Sequence, residues 1–371
     1  MKRLNLLLLT LLSSLALFSC ATDSDKTPCS KGAKNDARVF VLNEGNTWGK
    51  EKEYGFLDVI DNEGNYRSKV DKSTFGGTAQ DLAFFGDYTY VIAKDPIEGT
   101  HKGRLVSLKT ADYSIEKDYS ELISDLEKPS NIAILDLQNI FIRDEKAIHR
   151  LDLVNSKLTK VEGTDGASEI QMVALNNRVV AAVGKKLVSI NKNEDKVSKE
   201  LTLDASIKGI AQACRRDVFV ATPADDKSTI YRINSNDLSI IKQNEITGDE
   251  GKAMGNNYWG RSSVIVAKDD IIYYAGGGSV IYRHDFAKNE TKAMADVASE
   301  GIYPEGTITY NSLGVHPRTG HVYITRLKGF GEEHKINAIL ELDLSGDTGK
   351  LVKKYENKVS FPAAFYFPAN R

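Results

Sequence analysis

Seven aromatic side chains lie in the segments that separate the apolar runs of this 371-residue chain, and they are the residues best suited to bind a ligand. Both tryptophans, Trp48 and Trp259, lie in such segments. Aromatic rings supply a large contact area at a small cost in side-chain entropy, and they are frequent binding anchors. We predict that the ligand-binding aromatics are Trp48, Tyr54, Phe75, Tyr258, Trp259, Tyr303 and Phe330.

Polar residues stand where several apolar runs end, next to the same segments. Carboxylate, amide and guanidinium groups at these points can donate or accept hydrogen bonds to a bound ligand. We predict that the polar ligand-binding residues are Glu44, Asn131, Arg143 and Arg261.

Linear catalytic motifs are missing from the sequence. It contains no nucleophile elbow, no HExxH, no phosphate-binding glycine loop and no EF-hand loop. The six histidines have no ligand spacing, and only His101 and His334 fall in long predicted loops. We therefore expect a binding protein rather than an enzyme, with no catalytic residues, no resident cofactor and no metal ligands.

The elements that position these residues repeat with a period of about fifty residues. Residues 129–162 show the unit best, as four short runs in which apolar and polar residues alternate, separated by turn-forming residues. Such alternation predicts antiparallel strands. The pattern starts again near residues 79, 168, 208, 260 and 311, and this spacing is typical of propeller blades.

The two ends of the chain complete a seventh unit. The run that opens at Arg38 lacks a first strand, whereas Pro362–Pro368 reads as a first strand with nothing after it. Pairing the two removes free sheet edges. We predict an all-β fold, a seven-bladed β-propeller over residues 38–371 closed by pairing the C-terminal strand with the N-terminal blade. A β-sandwich or two smaller β domains are the alternatives.

The long connections fall on one face of such a propeller. Loops that enter first strands and loops that join second to third strands share a face, which we call the loop face. The long connections of this kind are residues 43–55, 94–103, 247–260, 298–310 and 326–337. Long loops in a compact domain are more often functional than idle, so the predicted site lies on the loop face.

The first residues predict export and lipid attachment. Lys2 and Arg3 precede an apolar run from Leu4 to Phe18, which suits a signal peptide better than a membrane span. The following Cys20 resembles the acylated cysteine of a bacterial lipobox. We expect a lipoprotein signal peptide over residues 1–19, lipidation of Cys20 and a flexible tether over residues 20–37, with a soluble exported protein cut elsewhere as the alternative.

Composition excludes several classes of protein. The chain has 41% hydrophobic residues and a formal net charge of −2, which is ordinary for a folded domain. There is no basic cluster, so we expect no nucleic-acid partner. The three cysteines are too few for a disulfide framework.

The opening from Val39 to Asn46, VFVLNEGN, follows the lipobox and tether and resembles a family of Gram-negative surface-lipoprotein propellers with YVTN-type, surface-layer repeats. Asp23 and Asp25 are similar to the acidic export tag of lipoproteins displayed outside the outer membrane. The resemblance implies an outer-membrane protein, held by its lipid and facing the exterior, with a TonB-dependent transporter as partner. It also implies capture of a small ligand, with a corrinoid such as vitamin B12 as the first candidate.

Two other functions remain open at this stage. The propeller could be a structural or adhesive surface protein that binds a protein or a glycan. It could also be a metal-dependent hydrolase of the propeller-lactonase kind, since Glu44, Asp81, Asn131 and Glu169 imitate the metal-binding set of those enzymes.

Overall fold

Seven four-stranded antiparallel sheets make up the fold, as the sequence predicts. The structure is a computed structural model that describes residues 36–47, 52–71, 75–95, 103–213, 217–225, 227–255, 263–275, 278–298 and 308–368, without the side chains of residues 311 and 312. The predicted signal peptide, Cys20 and almost all of the predicted tether lie outside these residues.

The first three blades occupy the N-terminal part of the chain, and the first is completed by the C-terminal strand. Blade 1 contains β1 (Val39–Asn43), β2 (Phe56–Ile60), β3 (Tyr66–Arg67) and β28 (Pro362–Tyr366). Blade 2 contains β4 (Gly77–Phe85), β5 (Tyr88–Asp95), β6 (Arg104–Lys109) and β7 (Ile115–Asp118). Blade 3 contains β8 (Asn131–Asp136), β9 (Asn139–Arg143), β10 (Ile148–Asp152) and β11 (Lys157–Lys160).

The remaining four blades follow in chain order. Blade 4 contains β12 (Val173–Ala174), β13 (Arg178–Val183), β14 (Lys186–Asn191) and β15 (Lys199–Thr202). Blade 5 contains β16 (Gly209–Gln212), β17 (Asp217–Pro223), β18 (Lys227–Asn234) and β19 (Ile240–Thr247). Blade 6 contains β20 (Val266–Lys268), β21 (Ile271–Tyr274), β22 (Val280–Asp285) and β23 (Glu290–Asp296). Blade 7 contains β24 (Ile308–Val315), β25 (Val322–Leu327), β26 (Asn337–Asp343) and β27 (Lys350–Glu356).

The core lies between neighbouring blades, and this explains the sequence of the strands. The second strand of a blade is covered on both faces, so all five residues of β9 are buried. The outermost strand faces solvent, and six of the seven residues of β27 are exposed. Ile92 of blade 2 and Ile142 of blade 3 belong to one buried cluster, as expected for sheets packed face to face.

The ring closes by the predicted pairing of the two ends. Strand β28 runs antiparallel to β1, with Phe40 opposite Tyr366 and Leu42 opposite Ala364. Strand β24 of blade 7 packs against β28, where a Cβ atom on Gly314 would lie 2.7 Å from the Cβ of Phe365. Glycine is therefore needed at this contact, and closure of the ring depends on a close backbone approach.

Among the residues that the structure describes, one α-helix interrupts the β structure. Helix α1 (Gly248–Gly255) follows β19 in a segment that the sequence analysis treats as loop, and its Met254 is buried. It was missed because eight residues with three glycines have low helix propensity. Two 3₁₀ turns, Ser120–Ile123 and Gly331–Lys335, lie in other loops. Within the described ranges, no helix has the length and apolar character needed to cross a membrane.

Candidate functional site

Loops of four blades enclose a cavity of about 700 Å³ on the loop face. The walls come from second-to-third-strand loops of blades 1, 2, 3 and 7 and from connections that enter first strands. We call it the loop-face cavity. Its lining residues are Glu44, Gly45, Asn46, Thr78, Lys94, Asp95, Lys128, Arg143, Glu145, Glu169, Tyr310, Phe330, Gly331, Glu332 and Phe361.

One side of the loop-face cavity is aromatic. Phe330 is 42% exposed and stacks on Phe361, with ring centroids 6.2 Å apart and planes at 15°. The buried His334 stacks on Phe361 at 4.7 Å, and Tyr310 packs against the same ring at 5.2 Å. Phe361 is thereby held in place, and the exposed ring of Phe330 offers apolar surface to a ligand.

The opposite side is charged and joins three blades. Lys94 Nζ lies 3.1 Å from Glu169 Oε1, and Arg143 Nη1 lies 3.8 Å from Glu169 Oε2. Arg143 also donates to the carbonyl of Ala167 at 3.1 Å and to Ser130 Oγ at 3.0 Å. Burial lowers the pKa of Arg143, while the neighbouring carboxylates oppose this shift. Glu169 therefore pairs with both cations at the cavity wall.

Two further carboxylates of the lining are held by hydroxyl groups. Glu44 is 5% exposed, and its Oε2 accepts a hydrogen bond from Tyr310 at 2.9 Å. Asp95 accepts a hydrogen bond of 3.0 Å from Thr78. Glu44 directly follows β1, and Asp95 is the last residue of β5. Both are second strands that end at the loop face, so both carboxylates lie there.

Backbone strain is concentrated in the same lining. Thr78, Lys128 and Phe361 have φ values of 57°, 49° and 51°, in the left-handed region that β-branched and bulky residues rarely adopt. Gly45 and Gly331 also have positive φ values. Strained backbone persists where surrounding contacts enforce it and is frequent at binding sites. Five of the fifteen lining residues have this conformation, which marks the cavity as a built feature.

The structure brings some of the predicted site residues together and places others elsewhere. Glu44, Arg143 and Phe330 line the loop-face cavity. Asn131 is buried opposite Arg143 in the β8–β9 ladder, and Tyr54 is half-buried away from the lining. Phe75 is 1% exposed in the core between blades 1 and 2, because its segment folds back onto β2 and β4, and no ligand in the cavity reaches it.

The other predicted residues lie outside the described part of the chain. They are Cys20, Trp48, Tyr258, Trp259, Arg261 and Tyr303, together with the histidine candidate His101. Sequence reasoning missed Phe361, Tyr310, Thr78 and Lys128 as lining residues. The one available signal was position, since Phe361 directly precedes the ring-closing strand β28 and so had to lie at the loop face.

A second, smaller cavity of about 320 Å³ follows the central channel. The innermost strands of all seven blades line it, mostly with apolar residues. Asp81 lies in this lining, where its carboxylate accepts hydrogen bonds from Tyr366 Oη at 2.8 Å and from the backbone N–H of Ile132 at 3.0 Å. Burial raises the pKa of Asp81 to about 6, although these hydrogen bonds act in the opposite direction. Asp81 thus links three inner strands of the ring.

The four residues that imitate a lactonase metal set divide into two groups, since the side chain of Asn131 hydrogen-bonds to Asp81 in the central channel and the other two lie elsewhere. Glu44 and Glu169 line the loop-face cavity, whereas Asp81 lines the central channel. Among the described residues, no three His, Cys, Asp or Glu side chains form a group that could hold a metal ion.

Comparison with solved structures shows the propeller fold. A quinonprotein alcohol dehydrogenase-like protein from Bacteroides thetaiotaomicron VPI-5482 is similar, with a TM-score of 0.62 and 15% identity over 92% of this chain and 79% of that one. The periplasmic gluconolactonase of Pseudomonas aeruginosa is similar with a TM-score of 0.59 and 11% identity, over 90% and 99% of the two chains. A candidate 6-phosphogluconolactonase from Bacteroides uniformis ATCC 8492 has a TM-score of 0.60 and 10% identity, over 90% and 100%.

The prediction that the chain is not an enzyme is wrong. It relied on missing linear motifs, yet the same fold occurs in proteins described as a gluconolactonase and as dehydrogenase-like. In a propeller, the residues that meet at one face come from different blades, as Lys94 and Glu169 do here, 75 residues apart. A propeller site therefore needs no short motif, and the absence of one does not exclude catalysis.

The family of the chain follows from a match along its whole folded part. No curated protein sequence matches the chain significantly. The model of the family described as Domain of unknown function (DUF5074) matches residues 38–370, which contain all seven blades. The chain therefore belongs to the DUF5074 family of propellers.

Proposed function

We propose that the chain is a lipid-anchored protein of the outer-membrane surface that captures a small ligand in the loop-face cavity and delivers it to a TonB-dependent transporter. The observation that carries the proposal is the cavity itself. It combines a volume of about 700 Å³, an exposed phenylalanine stack and a charged wall, in a lining with strained backbone. Small-molecule sites commonly occupy about 300–1,000 Å³ and pair apolar surface with a few placed polar groups.

A corrinoid is the first candidate ligand. It is a broad, stiff disc edged with amide groups, so it needs a flat apolar platform beside hydrogen-bonding groups. Phe330 and Phe361 supply the platform, and Asn46, Glu44 and the charged wall supply donors and acceptors.

The N-terminal sequence supports the membrane part of the proposal. Lipid on Cys20 would hold the propeller at the membrane, since each buried methylene of an acyl chain contributes about 0.8 kcal/mol. Tethering a capture protein beside a transporter raises the local ligand concentration without further contacts. Radiolabelled palmitate incorporation that disappears in Cys20→Ala, with protease accessibility on intact cells, measures both attachment and display.

Calorimetric titration of the purified protein with cyanocobalamin tests the ligand. The proposal predicts saturable heat with one site per chain. No heat with cyanocobalamin, in a preparation that unfolds cooperatively, would contradict the corrinoid assignment. Adhesion of the loop face to a protein or a glycan would then become the favoured function.

Lactone hydrolysis is a second candidate, favoured by one feature. Glu44 is a buried carboxylate on the cavity wall, held by Tyr310, and such a group is a candidate general base. The fold is shared with the Pseudomonas aeruginosa gluconolactonase. If the chain hydrolyses glucono-δ-lactone, Glu44→Gln should lower the rate by about 100-fold while the hydrogen bond from Tyr310 is kept. A rate that Glu44→Gln leaves unchanged would contradict this candidate.

A further inference from the structure

The charges around the loop-face cavity define the class of ligand that it accepts. Five carboxylates and three cations are present among the described lining residues, a net charge of −2. We infer that the cavity takes a ring-bearing ligand that is neutral or cationic and excludes ligands that carry a free carboxylate or phosphate. This inference rests on the proposed function, because it concerns the same cavity.

The basic groups are already paired with carboxylates. Glu169 faces both Lys94 and Arg143, and the Lys94 and Arg143 side chains are only 16% and 11% exposed. Lys128 lies 3.3 Å from Glu145 at the exposed edge of the cavity. An anionic ligand would compete with Glu169 for Lys94 and Arg143, and weakening either ion pair costs free energy at a partly buried site.

The carboxylates on the other walls of the cavity also disfavour the binding of an anion. Glu44 is buried on the blade 1 wall, and Asp95 lies on the blade 2 wall beside Thr78. Glu332 lies on the blade 7 wall, where it pairs with the exposed Lys335 at 2.8 Å. A ligand anion in the cavity would therefore meet carboxylates that three blades contribute to the lining, and repulsion in a low-dielectric cavity is stronger than in water.

The aromatic side adds a preference of its own. The faces of aromatic rings carry negative potential and attract cations placed within about 6 Å. Phe330 lines the cavity and is 42% exposed, so its ring is available for such a contact. A cationic or neutral ring can stack there, and the surrounding carboxylates then complement a positive charge.

A matched set of naphthalene probes tests the inference on the purified protein. The probes are 1-naphthylmethylamine, 1-naphthalenemethanol and 1-naphthoate, which share one ring system and carry charges of about +1, 0 and −1. We expect the amine and the alcohol to bind at least about tenfold more tightly than naphthoate. Phe330→Ala should weaken amine and alcohol binding together, which locates them in the cavity.

A substitution at the charged wall gives the second arm. Glu169→Gln leaves Lys94 and Arg143 without their shared carboxylate, so naphthoate affinity should rise about tenfold while the alcohol is unaffected. Glu200→Gln is the matched control, because Glu200 pairs with Lys186 on the outer strand of blade 4. The control should leave the affinity of all three probes unchanged.

The outcomes separate this inference from the proposed function. Naphthoate bound as tightly as the amine, or no change of naphthoate binding in Glu169→Gln, would overturn the charge selectivity. Absence of binding by all three probes would also overturn it. Selective probe binding with no response to cyanocobalamin would support the inference and reject only the corrinoid.

Discussion

Replacing Asp81 with alanine is expected to lower the free energy of unfolding by about 3–5 kcal/mol. The carboxylate accepts hydrogen bonds from the Leu82 and Ile132 backbone N–H groups and from the Tyr366 hydroxyl. All three donors lie in the buried inner ring, and alanine leaves them without this acceptor. Because Ile132 belongs to blade 3 and Tyr366 to blade 1, the substitution weakens the junction of three blades.

Urea unfolding at pH 7 measures this effect. Asp347→Ala is the control, because Asp347 is fully exposed and pairs with the exposed Lys292 at the outer edge. The control should change the free energy of unfolding by less than about 0.5 kcal/mol. A change of equal size in both variants would contradict a structural role for the Asp81 carboxylate.

The same residue should impose a pH dependence on stability. Its pKa is raised from 3.8 to about 6 in the folded protein, so the folded state holds the proton more tightly than the unfolded chain. The contribution of Asp81 to the free energy of unfolding therefore falls as the pH rises from about 4 to about 6. Relative to Asp81→Asn, which does not titrate, the wild-type protein should gain about 2 kcal/mol between pH 7 and pH 4. The difference between the two proteins isolates Asp81 from Asp58, whose pKa is also raised to about 6 by burial.

His284 is expected to give the stability of the protein the opposite pH dependence. Burial lowers its pKa from 6.5 to about 4. Its Nε2 accepts a hydrogen bond of 2.9 Å from Asn244, whose amide also donates to the Phe286 carbonyl, while Nδ1 lies 2.9 Å from Thr291 Oγ1. If Nε2 carried a proton, its N–H and the Asn244 amide N–H would both be donors, and the hydrogen bond between them would be lost. The neutral ring thus stabilises the fold above pH 6.5, and this stability is lost as the pH falls toward 4.

The free energy of unfolding of the wild type and of His284→Gln, measured as a function of pH, tests this effect. Glutamine keeps one donor and one acceptor but does not titrate, so the wild type should lose about 2 kcal/mol relative to the variant between pH 7 and pH 5. Parallel profiles over this range would contradict a neutral buried histidine.

The fold was predictable because its determinants are local. Alternating apolar residues at regular spacing define each strand, and the unmatched segments at the two ends define the closure that β1 and β28 complete. Helix α1 was not predictable in this way, since it is stabilised by tertiary contacts such as the buried Met254 and the hydrogen bond from Ser228 to Gly251. In helix α1, tertiary contacts outweigh the low helix propensity of the segment.

The site was only partly predictable because it depends on loop conformation. Blade geometry was enough to place Glu44, Arg143 and Phe330 on one face. It was not enough to show that Phe75 turns into the core or that Phe361 adopts a positive φ and stacks on Phe330. The ion pairs around Glu169 join residues of three blades, and no sequence pattern connects them.

Titration of cyanocobalamin into the wild type and Phe330→Ala tests the central claim, that the loop-face cavity captures the ligand. Leu351→Ala is the matched control, since Leu351 has a similar exposure, 40%, but lies on the outer strand of blade 7. We expect one-to-one binding by the wild type, at least about tenfold weaker binding by Phe330→Ala, and unchanged binding by the control, with similar melting temperatures in all three. Equal affinity in the wild type and Phe330→Ala would contradict the account, because the ligand would then bind away from the loop-face cavity.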